Sequence, residues 1–286
     1  MTAEVWEESS SQQTFTDLER EKYKKEAAQL LKRIEHKKRT WFRRITVAAA
    51  GVAAVLCITL GSIRYLAYLE DQDATYLEAF TRYGEKKQLL LPDGTQLQLN
   101  SCSYVRYPNR FNGDLRKVEL EGEGYFKVAR NEKQPFVVGT SRLDVCVLGT
   151  QFNVKSYKED ELVSVSVESG KVQVNLPEAM MRLEAQEQVI INTVSGEYSK
   201  RKEAREVAVW RKGELRFQSA PIRDVAKELE RMYGCQISFS PGVDTTLQIS
   251  GEHGNHSLDD VLESIRFISG GKLKYRKDGM KITFYK

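Results

Sequence analysis

Histidine and cysteine, the side chains that most often bind metals or act as nucleophile and base, are sparse in this chain of 286 residues. No histidine lies between His36 and His253, so a Ser/His or Cys/His catalytic pair cannot form in the middle of the chain. His253 and His256 are a candidate metal pair, but no third ligand accompanies them, and a surface loop explains them better. Phosphate-loop, nucleophile-elbow and zinc-protease motifs are absent as well. We therefore predict a binding protein with no metal, no cofactor and no enzyme activity.

Three of the four cysteines, Cys102, Cys146 and Cys235, lie in apolar sequence of the kind found in strands. Because their spacing matches no metal site, each is predicted to be a small buried side chain. A disulfide between Cys102 and Cys146 is the alternative, and an oxidising compartment would permit it.

The elements that must position any binding surface begin with the uncharged run Ile45–Ile63. These nineteen residues would form a helix of roughly 28 Å, about the hydrocarbon thickness of a bilayer. A membrane span is predicted, and a buried helix of a soluble core is the alternative. Lys and Arg are abundant in residues 20–44 and scarce in the predicted linker, residues 64–83, which favours a cytoplasmic N-terminus. No DNA-binding motif accompanies the basic segment, so direct contact with nucleic acid is not expected.

The predicted cytoplasmic segment, residues 1–44, contains one amphipathic helix. Thr16 and Glu19 have the spacing of a capping box, which marks the start of a helix. Apolar residues follow at steps of three and four, and they form a narrow stripe made of Leu18, Tyr23, Ala27, Leu30, Leu31 and Ile34. A short helix is marginally stable alone, so a partner protein, a second copy or the membrane surface must cover the stripe. Partner binding is the favoured interpretation.

The period of apolar residues changes from helical to alternating in residues 84–205. Pro92-Asp-Gly-Thr95 predicts a tight turn between two strands, since Pro sets the first corner and Gly accepts a positive φ. Many short strands with turns every eight to twelve residues indicate an all-β domain. The predicted strands are 87–91, 96–100, 117–120, 124–128, 136–138, 143–148, 151–156, 162–167, 170–174 and 189–192.

A second, α+β domain is predicted for residues 210–286, in the order βαββαββ. Pro221 stands at the start of its first helix, and Gly234 ends that helix. Ser257 is the predicted cap of the second helix, and Lys277-Asp-Gly279 is the turn of a final hairpin.

Several blocks of this sequence resemble the FecR family of transmembrane anti-sigma regulators. The first two are Leu91-Pro-Asp-Gly-Thr-Gln-Leu-Gln-Leu-Asn-Ser101 and Val118-Glu-Leu-Glu-Gly-Glu-Gly-Tyr-Phe-Lys-Val128. Pro135–Val138, Val147-Leu-Gly-Thr-Gln-Phe-Asn-Val154 and Val163–Val174 follow in the family's order. Residues 210–286 resemble the C-terminal domain of Bacteroidetes-type members, which is similar to the short N-terminal domain of secretins and TonB-dependent receptors. Ala185–Gln188 departs from the pattern, because the Pro-Gly often found at that turn is missing.

The resemblance implies a single-pass protein of the inner membrane, with its C-terminal part in the periplasm. Its cytoplasmic segment would bind an extracytoplasmic-function sigma factor, and its periplasmic part would sense the signalling domain of a TonB-dependent outer-membrane receptor. An intramembrane protease is a further implied partner. A membrane-anchored scaffold that docks to a secretin-like or receptor complex is the alternative function.

The resemblance also implies possible self-cleavage at Gly149–Thr150, the bond at which some family members are cut. Thr150 Oγ1 would attack the Gly149 carbonyl in an N→O acyl shift, and hydrolysis would follow. The simpler interpretation is a bulge at Gly149 and an ordinary strand residue at Thr150.

Overall fold

The computed structural model describes residues 21–22, 24–25, 32, 49–66, 75–202, 207–254 and 257–286. The chain divides into two compact units, residues 1–69 and residues 70–286. In the first unit, helix α1 (Ala49–Leu66) is long and apolar enough to cross a bilayer, and none of its side chains is buried. This helix continues three residues beyond Ile63, while residues 45–48 of the predicted span lie outside the described residues.

The second unit begins with thirteen strands that form what we call the β domain, residues 76–202. Their bounds are β1 (Tyr76–Phe80), β2 (Lys87–Leu90), β3 (Gln96–Leu99), β4 (Tyr104–Pro108), β5 (Arg116–Lys127), β6 (Phe136–Gly139), β7 (Asp144–Val147), β8 (Gln151–Ser156), β9 (Leu162–Ser169), β10 (Lys171–Asn175), β11 (Met180–Glu184), β12 (Glu187–Asn192) and β13 (Tyr198–Lys202). Strand β1 lies inside the segment expected to be a linker, where it pairs with β4 in antiparallel fashion.

Two sheets share the long strand β5. Its first half pairs with β4 and β6 in one sheet, which continues through β7, β10 and β11. Its second half pairs with β3 and β8 in the other sheet, which continues through β9, β12 and β13. Alternate side chains of both sheets meet in one apolar core, where the rings of Phe126 and Phe152 stack with centroids 5.3 Å apart.

Gly122 is the point at which β5 passes from one sheet to the other. Its φ is 106°, and a Cβ added there would lie 2.4 Å from Ser103 Oγ and 2.7 Å from Ser103 Cα. Only glycine fits both the backbone conformation and the space. The sequence predicted separate strands at 117–120 and 124–128, which the structure joins into one strand of 12 residues.

The rest of the second unit is what we call the C-terminal domain, residues 215–285. Its elements are β14 (Leu215–Pro221), α2 (Ile222–Tyr233), β15 (Gln236–Phe239), β16 (Gln248–His253), α3 (Leu258–Ile268), β17 (Lys274–Asp278) and β18 (Lys281–Tyr285), the βαββαββ order that the sequence predicts. Strands β14 and β16 form one small sheet, and β15, β18 and β17 form another. Both helices pack their apolar faces against these sheets and form one core, which belongs to the C-terminal domain alone. The helical spacing of their apolar residues predicts such packing.

The helix ends follow the predicted chemistry. Ser257 caps α3 by accepting a hydrogen bond from the backbone N–H of Asp260 in a capping box. Gly234 follows α2 in the left-handed conformation, with φ 68°, and its N–H is bonded to the Glu230 carbonyl.

The four cysteines are free thiols, so the alternative disulfide between Cys102 and Cys146 is not formed. Cys235 is buried as predicted, whereas Cys102 and Cys146 are only half-buried. Burial raises the pKa of each of these three thiols, which keeps them protonated and poorly nucleophilic.

Candidate functional site

The residues expected to bind a sigma factor, Leu18, Tyr23, Ala27, Leu30 and Ile34, all lie outside the described residues. Their role therefore remains a prediction from the sequence.

Gly149 and Thr150 immediately precede β8, next to the turn that joins β9 and β10. A Cβ on Gly149 would be 2.7 Å from Cα of Arg130, so a close approach between two backbones requires glycine here. Thr150 is 4 % exposed, and its hydroxyl donates a hydrogen bond of 2.9 Å to the carbonyl of Lys171. The Thr150 hydroxyl thus joins two neighbouring segments of the β domain.

His253 lies in β16 and is 5 % exposed, so the expectation of a surface loop is wrong for this residue. Its ring packs against Phe217, with centroids 5.9 Å apart, because alternation along β16 directs it inward. His256 lies outside the described residues. The part of the chain that the structure describes holds no cluster of three or more potential metal ligands.

The most elaborate polar arrangement lies where the β domain meets the C-terminal domain. It starts at Glu123 of β5, a carboxylate that is only 4 % exposed. The amides of Asn100 and Asn153 each donate to it at 2.8 Å. Asn153 in turn accepts the indole N–H of Trp210 at 3.1 Å, which ties the link between the two domains to the β domain. Burial raises the pKa of Glu123.

Several charged pairs cross the junction, and three of them form what we call the clasp: Lys155 with Glu228, Asp160 with Arg231, and Glu161 with Arg223. Lys227 of α2 also lies 3.6 Å from the Asp160 carboxylate. Lys155, Asp160 and Glu161 belong to β8 and the loop after it, while their partners lie on α2. The Arg231 guanidinium binds both carboxylate oxygens of Asp160 at 3.0 Å, a bidentate geometry. It also lies 3.9 Å from the ring centre of Tyr157, whose hydroxyl donates to the Ser101 carbonyl.

The ionisation of the clasp follows from its contacts. Burial disfavours the charge on Glu228, but Lys155 and Arg231 outweigh that effect and lower the pKa of Glu228 to about 2. Burial likewise opposes the charge on Lys155, and the carboxylates of Glu228 and Glu123 outweigh it, so the pKa of Lys155 is raised. The Lys155 ammonium therefore stabilises the negative charge of two carboxylates, and one of them, Glu228, is fully ionised at neutral pH.

A short 3-10 turn, Val209–Lys212, joins the two domains. Trp210 is buried there, and Arg211 stacks on Tyr125 at 3.7 Å and pairs with Glu168 at 3.3 Å. A groove of about 340 Å³ opens beside the turn, with Ser164 and Gln188 of the β domain and Leu215 and Asp224 of the C-terminal domain among its walls. The junction thus combines the clasp with this groove, and residues of both domains contribute to each.

Comparison with known proteins identifies the family. The model of the family described as FecR protein matches residues 78–173, and that of FecR, C-terminal, matches residues 214–284. A crystal structure from Parabacteroides distasonis ATCC 8503, described as a candidate anti-sigma factor, is 46 % identical, with a TM-score of 0.72; the match covers 74 % of this chain and 99 % of that one. The chain belongs to the FecR family. A second candidate anti-sigma factor structure from the same organism is 47 % identical over 73 % of this FecR-family chain and 99 % of that one, with a TM-score of 0.71. No curated protein sequence matches.

The clasp of this FecR-family chain was not among the features predicted from the sequence. Residues 158–161 contain three consecutive acids and read as a solvated loop, while Arg223, Lys227 and Arg231 follow one another at steps of four on α2. Such a step places basic side chains on one helix face, which is the signal that an acidic partner was needed.

Proposed function

We propose that this chain is an anti-sigma factor that regulates an extracytoplasmic-function sigma factor across the inner membrane, in response to a TonB-dependent outer-membrane receptor. The observation that carries the proposal is 46 % identity to a candidate anti-sigma factor, of which 99 % is covered. Helix α1 supports the membrane part of the proposal, because an apolar helix of this length is stable in a bilayer and unfavourable in water. The excess of Lys and Arg before the helix supports a cytoplasmic N-terminus.

The sigma factor is proposed to bind the apolar stripe of residues 16–35. We expect the double variant Leu30→Glu/Ile34→Glu to lose sigma-factor binding and to change transcription from the target promoter by about tenfold, the effect of losing roughly 1.4 kcal/mol of binding energy. Co-precipitation of the sigma factor with the full chain from detergent measures the binding, and a reporter gene measures the transcription.

The matched control is Ala28→Glu/Gln29→Glu, which introduces two acids at neutral positions of the same segment outside the stripe and leaves its basic residues in place. A scaffold does not need the stripe. Unchanged transcription and binding in the Leu30/Ile34 variant would therefore contradict the regulator function and favour the membrane-anchored scaffold.

The receptor's signalling domain is proposed to dock on the C-terminal domain or on its seam with the β domain. Two features support this placement. The groove beside Leu215 is open to a partner. Within the described residues β14 pairs with β16 alone, so its other edge is available for an added strand.

The Gly149–Thr150 bond is proposed to remain intact. The Thr150 hydroxyl already donates to Lys171, and Gly149 satisfies a close backbone approach, so both residues have a structural explanation. We expect the full chain with a tag at each end to run as one band carrying both tags, and Thr150→Ala to run identically. Two singly tagged fragments that disappear in Thr150→Ala would instead establish self-cleavage.

A further inference from the structure

The two domains of residues 70–286 have separate apolar cores. One core is formed by residues of the β domain, from Ala79 to Ile191, and the other by residues of the C-terminal domain, from Leu215 to Phe284. Charged and polar contacts join the domains, among them the clasp and the hydrogen bond between Trp210 and Asn153. Domains that meet through such an interface can move as rigid bodies while their cores stay folded.

The β1–β2 loop, residues 81–86, meets the clasp directly. The backbone N–H of Gly84 donates to the carbonyl of Arg231 at 2.8 Å, and the Lys86 ammonium donates to the carbonyl of Trp210. The loop is also fixed to the β domain, because the Thr81 hydroxyl donates to the Asn100 carbonyl and accepts from the Ser103 N–H. The last turn of α2, the interdomain turn and the β1–β2 loop therefore meet at one place.

Strand β1 immediately precedes this loop, and nine residues separate it from the end of helix α1 at Leu66. It lies at the edge of its sheet, where β4 is its neighbour within the described residues. An edge strand is held by few hydrogen bonds, so a change in the loop that follows it reaches the strand easily.

We propose that the clasp is a two-state coupling device, which in its closed state fixes the β1–β2 loop and strand β1, and in its open state releases them. Opening the clasp at α2 would thereby be transmitted to the chain segment that leads to helix α1. The transmission to the cytoplasm rests on the proposed function, whereas the coupling between clasp and loop does not.

Hydrogen exchange of the full chain in lipid nanodiscs, read by mass spectrometry, tests the coupling. Asp160→Asn removes the carboxylate that Arg231 binds but leaves the β1–β2 loop untouched. We expect amides of residues 76–86 to exchange at least about tenfold faster in this variant, while strands β6 to β9 keep their wild-type rates. The matched control is Asp259→Asn, which removes a carboxylate paired with Lys277 inside the C-terminal domain and should leave residues 76–86 unchanged.

Coupling must be reciprocal, so a change in the loop should also loosen the clasp. In Gly84→Ala the new Cβ would lie 3.1 Å from the Met232 carbonyl, and φ at this position is +69°. Gly196→Ala places the same side chain at a φ of +74° with nothing within 4 Å, which controls for backbone strain. We expect faster exchange in α2 and in residues 157–161 for Gly84→Ala alone.

The proposal is wrong if the amides of residues 76–86 exchange at wild-type rates in the Asp160→Asn variant. If Asp160→Asn unfolds the β domain, Glu161→Gln is used instead, because it weakens the more exposed pair of the clasp. Faster exchange in residues 76–86, with wild-type rates in strands β6 to β9, is then required of Glu161→Gln. A reporter gene separates the two ideas. The expected exchange pattern without any change in transcription would contradict the proposed function and leave the coupling device standing.

Discussion

Replacing Arg116 with alanine is expected to destabilise residues 70–286 by about 3–5 kcal/mol. Arg116 is 1 % exposed, and its guanidinium donates to Asp93 at 2.7 Å and to the carbonyls of Ala129 and Gln134 at 2.8 Å. It also lies over the ring of Phe136 at 5.4 Å. Alanine would leave the Asp93 carboxylate without its cation, two carbonyls without their donor, and a cavity in the β domain.

Guanidinium unfolding of residues 70–286 measures this loss, and fluorescence of Trp210, the one tryptophan in that range, follows it. Arg106→Ala is the matched control, because Arg106 also pairs with an acid and lies over a tyrosine ring, but its side chain is 39 % exposed. We expect the control to change stability by less than about 1 kcal/mol. A similarly small loss for Arg116→Ala would contradict the importance of the buried charge.

Arg116 also supports the Pro92–Thr95 turn. Asp93 accepts hydrogen bonds from the backbone N–H and the hydroxyl of Thr95, while Arg116 holds the same carboxylate from another strand. The sequence predicts the turn, since its signal is local. The arginine could not be foreseen, because it lies 23 positions away and its burial depends on the pairing of β5 with β6.

Elements with a local signal were predictable in general. Strand β3 alternates buried and exposed residues, and α2 and α3 repeat apolar residues at helical spacing between recognisable caps. Strands β1 and β13 lack that signal, because nearly all of their side chains are exposed and they lie at the edges of their sheets. Such strands form because a neighbouring strand offers hydrogen bonds, and the sequence of the strand itself does not record this.

The basic face of α2 can be read from the sequence, but the acids that pair with it cannot, for the same reason. Asp160 and Arg231 are 71 positions apart, and each belongs to a surface-like polar stretch when read alone. Burial of such a pair results from the docking of two domains, each of which already has a core. Family resemblance identified the two domains but carried no information on the charges that join them.

Replacing Lys155 with methionine is expected to destabilise residues 70–286 by about 2–4 kcal/mol at pH 7, because the ammonium interacts with the carboxylates of both Glu228 and Glu123. Its loss removes from Glu123, which is 4 % exposed, the cation that most favours its ionised form, and leaves Glu228 with Arg231 alone. The Lys155 side chain keeps 28 % exposure, so water offsets part of the loss. Lys171→Met is the matched control, since Lys171 lies 3.5 Å from Glu184 with 83 % exposure, and less than about 1 kcal/mol is expected there.

The pH dependence of this loss identifies its cause. In the wild type the pKa of Glu228 is lowered to about 2, so its contribution is present above its ordinary value of 4.5 and is lost as the pH falls toward 2. The pKa of Glu123 is raised by burial, so the folded state holds this proton more tightly than the unfolded state does. The effect of Glu123 on the free energy of unfolding is therefore opposite to that of Glu228: it lowers the stability as the pH rises above 4.5. Without Lys155 both pKa values rise, and both carboxylates take up protons more readily in the folded state. The deficit of Lys155→Met should therefore be largest at pH 7 and shrink steadily as the pH is lowered toward 4, in unfolding curves measured at each pH. A deficit that is independent of pH would assign the loss to packing of the lysine side chain instead of its charge.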